Sequence, residues 1–142
     1  MQRAPDAATS FVSEFAKHRR RCLSLAKRFA TDDANLKDSA AVGQLCRATQ
    51  EMLEQAKAAH ALSEIYLRLD DRHRDAVQAI IIARFEDILH SAQASWRRFC
   101  DSMQFVHSDK REIESARRQF EPQANQFQDT LRKFVALGGK GT

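Results

Sequence analysis

The stretch Arg84–Ala136 reads RFEDILHSAQASWRRFCDSMQFVHSDKREIESARRQFEPQANQFQDTLRKFVA. Within it Phe85, Ala92, Phe99, Val106, Ile113, Phe120, Phe127 and Phe134 recur every seven residues without a slip. Sustained seven-residue spacing returns one side chain to the same side of a helix. That side must therefore stay against a partner along the whole length. A companion column, four residues after each member, holds Leu89, Trp96, Met103, Ala124 and Leu131, with Lys110 and Arg117 interrupting it. Continuous from about Arg74 to Ala136, such a helix would run roughly 90 Å. A domain of 142 residues has no room for a straight rod of that length, so the pattern predicts a helix that protrudes, bends or breaks. Two places suit a change of direction. Ser108 and Asp109 in Val106-His107-Ser108-Asp109-Lys110 can cap a fresh helix. Pro122 removes a backbone donor and crowds the preceding turn. The column keeps its phase through both, which predicts bends rather than loops.

Composition extends helix to the rest of the chain. Only four Gly and two Pro occur, and three of the Gly lie at 138, 139 and 141. A β-rich fold needs turn residues every 8–12 positions, and they are missing. Charged residues make up 30%, with much Ala, Gln, Arg and Glu, a mix that favours helix. The fold class is therefore all-α. A first helix is expected from Ser10 to Ala30, with Phe11, Phe15, Cys22, Leu25 and Phe29 on one face, then a turn at Thr31–Asn35. A second, capped by Asp38 or Ser39, carries Val42, Leu45, Met52, Leu62, Ile65, Tyr66 and Leu69. Asp70–Asp75 is wholly polar and reads as a connection or an exposed helical turn. Residues 1–9 and 138–142 read as disordered tails around a single helical domain, 10–137.

Taking the Phe column as position a, the basic residues Arg97, Arg98, Lys110, Arg111, Arg117, Arg118, Arg132 and Lys133 fall at e, f and g. Glu86, Asp87, Asp101, Glu114, Glu121 and Asp129 fall at b and c. The exposed surface is thus expected to divide lengthwise into basic and acidic strips. Such a basic stripe suits anionic lipid headgroups, at roughly 1 kcal/mol per cation near the surface, or else it is a solvated face of intrahelical pairs. His18-Arg19-Arg20-Arg21, Lys27-Arg28, Arg68 and Arg72-His73-Arg74 add further basic clusters. Nucleic acid is disfavoured as a partner. No recognised motif for it occurs, and the aromatics lie on the apolar seam rather than beside the cations.

No chemistry-bearing motif stands out. Three widely spaced cysteines, Cys22, Cys46 and Cys100, give no disulfide framework and point to a reducing compartment. Met1–Ser10 lacks the apolar segment of a secretory leader. No CxxC, HExxH or glycine-rich phosphate loop is present, so no catalytic residue, metal or cofactor is expected. The chain reads as non-enzymatic.

Three segments carry a resemblance. Leu25-Ala26-Lys27-Arg28-Phe29 is followed by a short acidic gap and an amphipathic stretch to Glu54. Glu64-Ile65-Tyr66-Leu67-Arg68-Leu69 forms a leucine- and tyrosine-rich middle. Ala83-Arg84-Phe85 leads to Ser95-Trp96-Arg97-Arg98-Phe99, with Ser115–Phe120 beyond. Together they resemble the BAR domain of sorting nexins, with the third long helix cut short. The resemblance implies long, kinked antiparallel helices in a coiled-coil-like bundle. It implies a homo- or heterodimer closed along Phe85, Trp96, Phe99, Val106, Ile113, Phe120, Phe127 and Phe134. It also implies a non-enzymatic scaffold on curved anionic membranes of the endosomal system, cytoplasmic and peripheral. The rival expectation is a soluble three- or four-helix bundle serving as an adaptor, chaperone or complex subunit. There the seam is an intramolecular core and the stripe is solvated.

Overall fold

The computed structural model describes residues 4–30, 36–106 and 110–139. Among them are four helices and no strand: α1 (Ala4–Ala30), α2 (Leu36–Arg68), α3 (Asp71–Met103) and α4 (Lys110–Gly139). The all-α expectation holds. The Thr31–Asn35 turn, the His107–Asp109 cap and residues 1–3 and 140–142 lie outside the described residues. So do the side chains of Leu25, Phe29, Asp38, Ser39 and Lys110.

The expected long helix is two helices. α3 tightens at its end, where Gln104, Phe105 and Val106 donate backbone hydrogen bonds to Asp101, Ser102 and Met103 at 3.1–3.3 Å. These bonds span three residues, a shorter step than the α-helix uses, and a new helix follows from Lys110. The physical reason lies in the column itself. A rod would leave it bare along its whole length, whereas doubling back buries each half against the other. Phe85 stacks on Phe134 with ring centroids 4.1 Å apart and planes 7° off parallel, and Phe99 stacks on Phe120 at 5.1 Å. The first member thus meets the last and the third meets the sixth, so the column folds about its midpoint. All eight members are buried. The seven-residue phase survives the reversal because both halves face one interior.

α1 closes the bundle against the other side of α4. Phe11 lies 5.3 Å from Phe127, Phe15 lies 5.3 Å from Phe120, and His18 meets the Phe120 ring edge-on at 4.6 Å. These pairings run antiparallel. α2 fills the remaining side, packing on α1 and α3. Its buried positions, Val42, Thr49, Ala56 and Ser63, are themselves seven apart, as are the buried Leu45, Met52 and Ala59. Most of these side chains are small, and the α1–α2 pairing is the most extensive in the bundle. Ile65, expected on the apolar face, is 54% exposed, because it stands off this column near the α2–α3 turn. That turn is short: only Leu69 and Asp70 separate the two helices. α1 begins at Ala4 rather than near Ser10, and α4 reaches Gly139.

Pro122 lies inside α4, exposed, and the helix continues through it. Proline in a helix interior costs about 3 kcal/mol relative to alanine, and this ring buries nothing in return. Pro122→Ala is therefore expected to stabilise the fold by about 1–3 kcal/mol, read as a higher urea midpoint. Phe120→Ala, which deletes the ring shared by Phe15, His18, Trp96 and Phe99, is expected to cost about 3–5 kcal/mol on the same scale.

Candidate functional site

The reversal between α3 and α4 divides the expected basic stripe. Arg97 and Arg98 stand on α3, and the other members belong to α4. Several are occupied within the molecule. Arg98 donates to both carboxylate oxygens of Glu51 on α2, at 2.6 Å to Oε2. Arg117 is half-buried between Glu114 and Glu121, donating at 3.3 and 2.8 Å. Arg132 donates to Asp129 at 2.7 Å. Among the described residues Arg97, Arg111, Arg118 and Lys133 are exposed without a carboxylate in ion-pair range. The eight residues do not form one line of free cations. The seam residues lie in the chain's own core, with Trp96 half-buried at its rim, stacked on Phe99 at 5.2 Å.

A denser run of cations lies elsewhere. From Lys17 to Arg28, KHRRRCLSLAKR, there are six Lys or Arg and no Asp or Glu. Phe15, His18 and Cys22 turn this segment's apolar side into the bundle. Arg20 and Lys27 then point outward. With Leu23, Ser24 and Ala26 they line a shallow groove whose floor is mainly apolar. Leu23 is 40% exposed. Arg21 reaches sideways and donates to the neutral Gln119 of α4 at 2.7 Å, so its charge is kept. Among the described residues of the segment, Lys17 alone finds a carboxylate, Glu14 at 3.4 Å.

A second groove runs between α2 and α3, lined by Glu51, Glu54, Gln55, Ala58, Asp87, Ile88 and Ser91. Its base is a hydrogen-bonded chain. Gln55 Nε2 donates to Ser95 Oγ, and Ser95 Oγ donates to Glu51 Oε2, each at 3.0 Å. Glu54 and Asp87 stand exposed on its walls. Nothing in the sequence pattern announced this groove. Asp87 joins Glu54 only through the register of the α2–α3 hairpin, which no local spacing encodes.

Two interior clusters complete the inventory. Cys22 of α1 meets Thr49 of α2, Sγ to Oγ1 3.7 Å, and Thr49 spends its own proton on the Leu45 carbonyl at 2.8 Å. Cys46 donates to Cys22, which pushes the Cys46 thiol well up, with burial adding to the rise, and pulls the Cys22 thiol down. Burial likewise pushes the Cys100 thiol up. The raised thiols of Cys46 and Cys100 are held protonated, and protonated thiols are poor nucleophiles and poor metal ligands. No group of three or more His, Cys, Asp or Glu suited to a metal occurs among the described residues. No helix among them is long and apolar enough to cross a membrane.

His18 is buried, its Nε2 without a hydrogen-bond partner among the described residues. Burial lowers its pKa from the ordinary 6.5, with Arg21 and Lys17 adding to the shift and Glu14 opposing it. The folded state thus favours the neutral ring. Well above pH 6.5 folded and unfolded chains carry the same neutral imidazole, and His18 contributes no pH dependence. Below it the unfolded chain takes up a proton that the folded chain refuses, so stability falls until the lowered folded pKa is passed. The urea midpoint is expected to drop between pH 7.5 and 5.5, and His18→Gln is expected to flatten that drop. No family model, curated protein or solved structure matches the chain, and the likeness to sorting nexins rests on the residues quoted for it.

Proposed function

We propose that this chain is a non-enzymatic helical-bundle interaction module, an adaptor or complex subunit that works through its charged outer grooves. One observation carries the reading: the heptad seam is spent on the chain's own core, with Phe85 against Phe134 and Phe99 against Phe120. A scaffold that dimerises along that seam would need it open. The pairing of Arg98, Arg117 and Arg132 with carboxylates also favours a solvated, locally balanced α3–α4 surface over a lipid-facing array. Exposed pairs of this kind contribute at most about 1 kcal/mol each, but they leave fewer charges for headgroups. The second reading is the membrane scaffold of the sorting-nexin type. It keeps Arg97, Arg111, Arg118 and Lys133 as its contact residues.

Scattering and vesicle binding together separate the two. In about 0.5 M salt, where the Debye length is roughly 4–5 Å, the purified chain is expected to be a compact monomer. Its radius of gyration should lie between about 14 and 17 Å. It is also expected not to co-sediment with phosphatidylserine vesicles at moderate salt. An apolar seam dimer would survive that salt, so an elongated dimer there, together with vesicle binding lost in Arg111→Glu/Arg118→Glu, would replace this reading with the membrane scaffold.

A further inference from the structure

We infer that the α1 groove is a docking site for a second copy of this chain, whose α2–α3 groove receives it. The proposal rests on the interaction-module reading and names the partner. The charges are complementary and all on one chain. The α1 groove has Arg20 and Lys27 on its walls, in a segment with no acidic residue from Lys17 to Arg28. The α2–α3 groove has Glu51, Glu54 and Asp87 on its walls and no Lys or Arg among its described lining residues. Glu51 is held by Arg98 and Ser95, which leaves Glu54 and Asp87 as the outer carboxylates.

The spacing agrees as well. Arg20 and Lys27 are seven residues apart on one helix, about 10 Å along its axis. In α2–α3 the register is set by Gln55 with Ser95 and Glu51 with Arg98. That register, with Ser95 also bonded to Glu51, places Asp87 about 8–13 Å beyond Glu54 along the hairpin at 1.5 Å per residue. Between the two cations stands the exposed Leu23 with Ala26, and between the two carboxylates stand Ala58 and Ile88. Cation, apolar group and cation thus meet carboxylate, apolar groove and carboxylate, with Arg20 over Glu54, Leu23 over Ala58 and Lys27 towards Asp87. A phosphate backbone would use the cations but has no use for the matched apolar step; an anionic membrane would take both, and vesicle binding separates it. Within one copy the two grooves share no described lining residue, so each can be filled by a neighbour.

Because the two surfaces differ, the contact is heterologous. It leaves one groove of each kind open at the ends of a pair, and association runs head to tail unless a ring closes. A patch this small makes a weak, salt-dependent contact. Sedimentation velocity of the full chain at about 50 mM salt is expected to show weight-average mass rising with concentration from tens of micromolar. The rise should vanish at about 0.5 M salt.

Two variants decide the matter. Arg20→Glu/Lys27→Glu makes both grooves acidic, and Glu54→Lys/Asp87→Lys makes both basic. Each alone is expected to stay monomeric across the series, while their equimolar mixture regains association, since the acidic α1 of one now fits the basic hairpin groove of the other. Circular dichroism and urea midpoints close to those of the unchanged chain verify that both variants are folded. A monomeric unchanged chain at several hundred micromolar would overturn the inference, as would association indifferent to both variants. A mixture that stays monomeric would also overturn it. So would vesicle binding that Arg20→Glu/Lys27→Glu abolishes in a chain that never self-associates. The first three failures leave the interaction-module reading standing if the chain is a compact monomer in high salt and indifferent to vesicles at moderate salt.

Discussion

The fold depends on the meeting of Phe120 with its neighbours from two helices. Phe15 and His18 reach it from α1, and Trp96 and Phe99 reach it from α3. This ring is where the α3–α4 hairpin and the α1–α2 pair become one interior. Aromatic pairs at such separations contribute about 0.5–1.5 kcal/mol beyond the area they bury, and here four of them share a single member. With α4 fixed by that cluster, the outward faces of α1 and α3 are fixed as well. The placing of the surface grooves follows from the core.

The division of labour between aromatic and small residues explains the shape. α1, α3 and α4 supply the large rings, and α2 supplies Ala48, Thr49, Ala56, Ala59 and Ser63, all buried. Large side chains on all four helices would hold the backbones apart and leave voids, which close packing does not tolerate. The small face of α2 lets the rings of its neighbours fill the centre. It also admits polar groups cheaply, because Thr49 and Ser63 return their hydroxyls to the carbonyls of Leu45 and His60 at 2.8 and 2.9 Å. A buried hydroxyl satisfied by its own helix carries little desolvation cost.

What the sequence disclosed follows the same division. The eight-member column was legible in full because Phe, Val, Ile and Ala at constant phase leave no rival period. The reversal within it was not legible: an unbroken phase describes a straight rod and a folded hairpin equally well. On α2, Val42, Leu45 and Met52 showed the buried face, and Leu62, Tyr66 and the following Leu69 pack half-buried against it. Thr49, Ala56 and Ser63 carry no apolar signal, although their seven-residue spacing would have revealed them to a reading blind to residue type. His18 looked like part of a basic cluster and is instead a core residue, since one turn of helix separates it from Phe15 and Cys22. The basic stripe was legible as composition. Its partition was not, because Arg98 finds Glu51 across a hairpin. The acidic groove was invisible for the same reason.

The symmetry of the aromatic column about its midpoint has one more consequence. Each half of the column fits the other half, whichever molecule carries it. A hairpin opened between Met103 and Lys110 would offer the same contacts to an opened neighbour, and the two would exchange halves with every ring pairing preserved. Energy of contact alone does not choose between these arrangements. The choice is made by the connection, six residues long, which keeps the two halves together at an effective concentration in the millimolar range. The length of that link, more than the chemistry of the seam, is what keeps each molecule closed upon itself.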